Sequence, residues 1–437
     1  MTSYTSTLRW LYGLQYRGMK FGLRNIRALL SEAGHPERHF PSLHIAGTNG
    51  KGSTSSFLAS VLQESGYRTG LYTSPHLVRF TERIRISGIE IPERRLVEYA
   101  QTLRPWIESV QATFFEATTC IAFLYFADEG VDVAVIETGL GGRLDATNTL
   151  RPLLSIITNV GLEHTEFLGT TLTAIAREKA GIIKKGIPVV TSAREPDVLR
   201  VLRNTAALRK TRLFLSGNVV VPTVLGARSG CSLVKMKAQR LSVGPVLLGL
   251  SGEHQVVNAS LAVAALQVLR SRGELERITA GHIENGLNRV QKNTGLRARM
   301  EELITPTGRI LMDVAHNPAG INTLVRSLSG RGIRFPVTVF GVMKDKDAEA
   351  MLTALSRLTS TVVAVAPLVG RSLPAAEVKK LAKKVGIHVI LGPTVPAGIR
   401  KALLLAGPET LAKRARILIT GSHYVVGEAL SYLEKRT

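Results

Sequence analysis

Two α/β domains, each built on a largely parallel sheet, are what this sequence predicts, and three observations carry the prediction. Short apolar runs alternate with longer helix-patterned segments, which is the rhythm of strand-helix-strand units. That rhythm breaks and then starts again near Met300. The chain has 437 residues, which at about 150 residues per domain leaves room for two or three domains.

Taken in order, the runs LHIAG from Leu43, TGLYTS from Thr69, VDVAVIE from Val131, LLSIITN from Leu153 and IPVVTS from Ile187 read as buried strands. Most of the segments between them read as helices. After Arg194 a helix is expected, then a Val- and Gly-rich stretch to Leu250 patterned as antiparallel strands, then two helices over residues 255–287. MEELITPTGRILMDVA reads as a hairpin turning at Pro306-Thr307-Gly308, followed by strands near FPVTVFG, STVVAVA, IHVIL and RILITG. Asn288, Asn293, Thr294 and Gly295 interrupt the periodicity between Leu287 and Met300. The expected division is therefore into residues 1–290 and 291–437.

Composition narrows the function classes. Hydrophobic residues at 45% and charged residues at 20% supply more than one core and argue against wholesale disorder. Aromatic residues are only 5%, so stacking platforms for nucleic-acid bases are sparse. The formal charge of +23 favours anionic partners, whether nucleic acid, phosphates or polycarboxylates. Residues 198–252 contain no acid, and their basic side chains read as a solvated face. Cys120 and Cys231 cannot form a disulfide framework or a metal motif, so a reducing cytoplasm is expected. With no signal-type h-region at the start and no apolar run of about 18 residues, no membrane association is expected either.

The strongest local motif is His44-Ile45-Ala46-Gly47-Thr48-Asn49-Gly50-Lys51-Gly52-Ser53-Thr54, a Gly-rich turn between strand and helix. Its glycines let backbone N–H groups close around a phosphate, Lys51 adds a point charge, and Ser53 or Thr54 can reach a metal. It departs from the usual phosphate-loop pattern, with Ile45 where the first Gly stands and Gly52 between Lys51 and the hydroxyl. An ordinary Gly-rich turn fits this segment too.

Three further positions stand out. Strand alternation in VDVAVIE puts Glu137 on one face with Val131, Val133 and Val135, and a buried carboxylate needs a partner, unless the strand has ended and Glu137 is solvated. Lys179 has Ile175, Ala176, Ile182 and Ile183 as its helical neighbours, so it leaves an apolar face; the residues alone favour a snorkelling lysine. Ser74 and His164 each follow a strand-like run. Together with Glu137 and the Gly47 to Ser53 loop they make four polar sites after four strands, where parallel sheets bind ligands.

GTNGKGST, YTSPHLVRFTERIRISG, FFEATT, ETGLGGRLDATN, VGLEHTEFLG, REKAGIIK, GEHQVVNA, MDVAHNP, KDKD and GSHYVVGEA occur in that order over nearly the whole chain. In these motifs the sequence closely resembles the folylpolyglutamate synthase and dihydrofolate synthase family, relatives of the Mur ligases. The resemblance implies an N-terminal P-loop-like parallel-sheet ATPase domain and a C-terminal Rossmann-like domain, with the active site between them. It implies a phosphate loop of Gly50, Lys51, Gly52 and Ser53, and Mg²⁺, as two ions, held by Ser74, Glu137 and His164. Lys179 would be carbamylated, and Asn258, Arg299 and Asp313 would contact ATP. Phe115, Leu144, Asp145 and Ala146 would line the pteroate pocket. Lys51, Lys179 and His316 would be the catalytic residues.

The implied reaction is ATP-dependent addition of L-glutamate to dihydropteroate or a reduced folate, by a monomer and with no nucleic-acid partner. The run Phe114-Phe115-Glu116 with Gly141 to Asn148 resembles bifunctional bacterial members. A folylpolyglutamate synthase alone, a Mur-type ligase on a cell-wall precursor, a simple NTPase and a basic RNA-binding protein are the alternatives. Two departures are notable: Leu296-Arg297-Ala298-Arg299 replaces the family's usual Trp-Pro-Gly-Arg, and His423 stands where an apolar residue is common.

Overall fold

Six parallel strands form the heart of the larger sheet in a computed structural model that describes residues 3–18, 20, 22–239, 241–305, 308–407 and 417–435. In chain order its strands are β1 (Ser42–Ala46), β2 (Thr69–Tyr72), β3 (Ile84–Ile86), β4 (Ile89–Glu90), β5 (Val133–Glu137), β6 (Leu154–Ile157), β7 (Val189–Thr191) and β8 (Leu213–Leu215). Their spatial order is β4-β3-β2-β5-β1-β6-β7-β8, with only the β2–β3 and β3–β4 pairings antiparallel. β1 is central, pairing Ile45 with Glu137 of β5 and with Ile156 of β6. A parallel sheet with both faces covered needs apolar residues at consecutive positions, which is why these strands read as continuous runs.

Apolar cores cover both faces of the sheet. One face, with Leu43, Ile45, Val133 and Val135, packs on the Lys51–Glu64 and His254–Arg270 helices. The other, with Tyr72, Ala134 and Ile136, packs on the Glu93–Ser109 and Phe114–Asp128 helices. The His254–Arg270 helix is apolar all round because it also packs against a three-stranded antiparallel sheet of β9 (Val220–Arg228), β10 (Cys231–Ala238) and β11 (Leu241–Ser251). Within the acid-free stretch Arg200, Arg203, Arg209, Lys210, Arg212, Arg228, Lys235 and Lys237 are exposed; Arg240 lies outside the described residues.

The second sheet comprises β12 (Glu301–Thr305), β13 (Gly308–Met312), β14 (Val337–Phe340), β15 (Thr361–Ala364), β16 (His388–Leu391) and β17 (Ile417–Thr420), ordered β12-β13-β17-β14-β15-β16. Only β12 is antiparallel, forming the expected hairpin with β13. Pro306 and Thr307 of its turn lie outside the described residues. Among the described residues no helix is long and apolar enough to cross a membrane.

Three details differ from the sequence reading. Val131 precedes the strand and packs in the core opposite Val133 and Val135, so only those two share a face with Glu137. The helix bearing Lys179 stops at Ala180; Gly181 fits closely against Arg143, and Ile182 and Ile183 are buried beyond the helix end. A short helix, Val290–Thr294, occupies the stretch where periodicity lapses.

Candidate active site

The phosphate-type loop is shaped by contacts that leave no room for side chains at two of its glycines. β1 ends at Ala46, and a Cβ on Gly47 would stand 1.8 Å from Thr158 Oγ1. That hydroxyl donates to Asn49 O at 2.7 Å, while Asn159 Oδ1 accepts from Asn49 N at 2.9 Å. The end of β6 thus holds the loop that follows β1. Gly50, at φ 84°, caps the Lys51–Glu64 helix, and a Cβ there would lie 2.4 Å from Asn258 Oδ1. Lys51 Nζ folds back to donate to Gly47 O and Thr48 O at 3.1 and 3.2 Å. Unpaired N–H groups at the start of this helix, with its dipole, suit an anion.

Beside the loop lies Glu137, 3% exposed, with its Oε2 accepting only a long 3.3 Å bond from Ser74 N. Burial pushes its carboxyl up, against the pull of Lys51, the Ser74 N–H, Arg299 and Arg83. A Cβ on Gly52 would stand 3.5 Å from an Arg299 terminal nitrogen and 3.7 Å from Glu137 Oε2, so this glycine is where loop, arginine and carboxylate converge. His164 adopts a left-handed φ of 50° before the Thr165–Leu168 helix, and burial, with Lys346 nearby, pushes its imidazole down to about 4. Among the described residues no three His, Cys, Asp or Glu side chains converge on one point.

Lys179 does not snorkel. It is 3% exposed and donates to Gly47 O at 2.8 Å, so one loop carbonyl receives both Lys179 and Lys51. Burial, then repulsion from Lys51, pushes its amine down to about 7. The loop after β5 supplies a pocket wall in which Leu144 is half-buried and Asp145 and Ala146 are buried. Asp145 accepts from Leu140 N at 2.8 Å and from Thr147 N at 3.0 Å. Phe115 packs so closely on Gly139 that a Cβ there would be 2.5 Å from its ring.

The second sheet presents Arg299, Asp313 and His316 from across the cleft. Asp313 is pinned by Met300 N at 2.9 Å and Ala315 N at 2.8 Å. His316 places Nδ1 2.9 Å from Val314 O and Nε2 3.1 Å from Glu163 Oε1. Burial alone pushes the Glu163 carboxyl up, but His316, Lys51 and Lys346 together hold it well below the usual range. Asn317 Nδ2 ties Glu163 and Asn49 together at 2.9 and 3.1 Å. His423 lies against His316 with ring centroids 4.8 Å apart.

One continuous cleft of about 2380 Å³ is bordered by all of Gly50, Lys51, Gly52, Ser53, Ser74, Phe115, Glu137, Leu144, Asp145, Ala146, His164, Lys179, Asn258, Arg299, Asp313 and His316. Sequence reasoning missed Glu163 and Lys346, although both sit in quoted motifs, one next to His164 and one inside KDKD. It also missed Arg83, whose buried guanidinium donates to His76 Nδ1 at 2.8 Å and stands 5.4 Å from the centre of the Phe114 ring, on which Tyr12 is also stacked. A charge inside the apolar spacing of FTERIRI was the available signal.

A phosphate-type loop on one α/β unit facing charged groups on a second defines the class as a Mur-type ligase. Residues 45–266 match the Mur ligase middle domain and residues 298–423 the Mur ligase glutamate ligase domain. A Bacillus subtilis dihydrofolate synthase/folylpolyglutamate synthase is 34% identical over 369 residues, 83% of this chain and 84% of that protein. The Mycobacterium tuberculosis folylpolyglutamate synthase complexed with ADP and AMPPCP superposes with a TM-score of 0.88 at 30% identity, covering 99% of both chains. E. coli FolC in complex with DHPP and ADP gives 0.85 at 27% identity over the whole of both. The chain belongs to the folylpolyglutamate synthase/dihydrofolate synthase family.

Proposed function

We propose that the cleft joins L-glutamate to dihydropteroate and to reduced folates at the expense of ATP. The γ-phosphoryl group of ATP passes to a substrate carboxylate oxygen, leaving ADP. The glutamate amine then attacks the acyl carbon, a C–N bond forms, the C–O bond breaks, and phosphate departs as the amine gives up a proton. The observation that carries this reading is the single cleft shared by the Gly50 to Ser53 loop, the Leu144 to Ala146 wall and the second sheet's Arg299 and His316. Family relatives carrying ADP, AMPPCP and DHPP support it.

In this reading residues 1–290 and 291–437 are the two catalytic domains. Gly50, Lys51, Gly52 and Ser53 hold the phosphates, and Asn258, Arg299 and Asp313 the rest of the nucleotide. Lys51 and Arg299 neutralise charge on the transferring group, where catalysis of such transfers mostly lies. A buried carboxylate with one long hydrogen bond, beside a serine, is a hard-oxygen donor set that fits Mg²⁺. Ser74, Glu137 and His164 would hold it, as two ions, and the bound metal supplies Lewis-acid charge to phosphate oxygens. Lys179, with its amine near neutral, is the site of carbamylation. The protein works as a monomer in the cytoplasm.

Purified protein offered dihydropteroate and tetrahydrofolate separately, with ATP, Mg²⁺ and glutamate, tests the proposal by product mass. Both acceptors should gain glutamate. Gain by tetrahydrofolate alone would remove the dihydrofolate synthase activity; gain by neither would overturn the reading.

A further inference from the structure

His44 is fully buried in the central strand β1, three residues before the loop begins at Gly47. Its Nε2 lies 2.8 Å from Thr147 Oγ1, and that hydroxyl donates to Asp145 Oδ1 at 2.5 Å. We propose that His44 is a positioning residue that aims the Thr147 hydroxyl at Asp145 and so fixes the shape of the acceptor-substrate pocket; this rests on Asp145 belonging to that pocket. The directions follow from proton counting. Asp145 accepts two backbone N–H groups, Leu140 N on Oδ2 and Thr147 N on Oδ1, and takes the threonine proton as well. Thr147 Oγ1, having given its proton away, can only accept from His44, so Nε2 carries the hydrogen. Nδ1 is then a bare lone pair, and it is a buried nitrogen without a partner. Burial, reinforced by Lys184, pushes the imidazole down to about 3, so it serves as a neutral donor throughout the working pH range.

The arrangement gives β1 two duties. Its last residues set Gly47 against Thr158, and His44 sets the loop after β5 through Thr147. Without a donor at His44 the Thr147 hydroxyl is free to rotate, and Asp145 loses the one side-chain bond that orients it toward Leu144 and Ala146.

The test compares His44→Leu, His44→Gln, Thr147→Val and Asp145→Asn by KM for dihydropteroate or tetrahydrofolate, KM for ATP, kcat and thermal midpoint. His44→Leu and Thr147→Val are expected to raise the acceptor KM about tenfold, the loss of about one hydrogen bond's worth of affinity, while the ATP KM stays within about twofold. His44→Gln, which keeps an N–H donor, should recover most of the loss, and a protein carrying both His44→Leu and Thr147→Val should be no worse than either single variant. An acceptor KM unchanged in folded His44→Leu and Thr147→Val, with Asp145→Asn impaired, overturns the relay alone. Failure of Gln to rescue, with losses that track the thermal midpoint, also overturns it in favour of a structural role. An acceptor KM unchanged in Asp145→Asn overturns the pocket reading itself.

Discussion

Glu137 and Lys179 are where single atoms decide the site. Glu137→Gln keeps the shape and the Ser74 contact but removes the charge suited to Mg²⁺, so we predict that ligation falls by orders of magnitude while circular dichroism and thermal unfolding stay near those of the parent. Near-parental turnover in a folded Glu137→Gln protein would take Glu137 out of the site. Lys179 carries a pH signature. Burial pushes it from its ordinary 10.5 to about 7, so between those values the unfolded chain holds a proton that the folded chain has released, and stability rises with pH across that window. Below about 7 both states hold the proton and the contribution is flat. Lys179→Met should therefore flatten the thermal midpoint between pH 7 and 10. Only the neutral amine adds CO₂, so a carbamate resonance should appear with carbon-13-labelled CO₂ above about pH 7 and vanish in Lys179→Ala, which should be nearly inactive. A labelled protein without that resonance would leave Lys179 as a plain loop-binding amine.

The segment from Leu296 to Glu301 shows how an element survives the loss of its usual residues. Ala298 takes a left-handed φ of 57° and Met300 one of 50°, where a β-carbon is unfavourable. Glu301 holds the turn by accepting from Ala298 N and Arg297 Nε, both at 2.6 Å, and Arg297 reaches on to Glu434 at 3.0 Å. These ties keep Arg299 aimed at Glu137 and Asp313 without the Trp, Pro and Gly of the family pattern. Ala298→Gly is predicted to raise stability by about 1 kcal/mol, read as a higher denaturant midpoint with an unchanged slope; a lower midpoint would mean the alanine methyl packs better than its backbone is strained. The strands around the site were legible because parallel strands buried on both faces are continuous apolar runs, as at Leu43 to Ala46 and Val133 to Glu137. Lys179 was not, because whether a long amine escapes or stays buried depends on Gly47 O, a carbonyl 132 residues away in sequence. Thr113 and Glu116 were readable and overlooked: their spacing is a capping box, and it is what starts the helix that sets Phe115 against Gly139.

At the scale of the whole molecule the excess of 23 positive charges is the property with no single owner. The exposed bases of the acid-free stretch lie on the Pro196–Leu208 helix, the loop that follows it and the three-stranded sheet, and among the residues quoted for the cleft none comes from that stretch. The cleft itself brings Lys51, Arg83, Arg299 and Lys346 together with Glu137 and Glu163. A distributed field of this kind acts on approach rather than on the chemical step, and it is screened within about 8 Å at physiological ionic strength. The number of charges on the incoming substrate then determines how strongly salt matters. A folate monoglutamate brings two carboxylates, and each residue added to its tail brings one more. If the basic field draws in anionic substrates, the apparent affinity for long-tailed folates must fall faster with added salt than that for the monoglutamate, while kcat changes alike for both. KM measured against KCl for a mono- and a pentaglutamate at fixed ATP and Mg²⁺ tests this, with steeper log–log dependence expected for the longer tail. Identical slopes would confine the substrate's electrostatics to the cations that line the cleft and leave the basic surface to solubility.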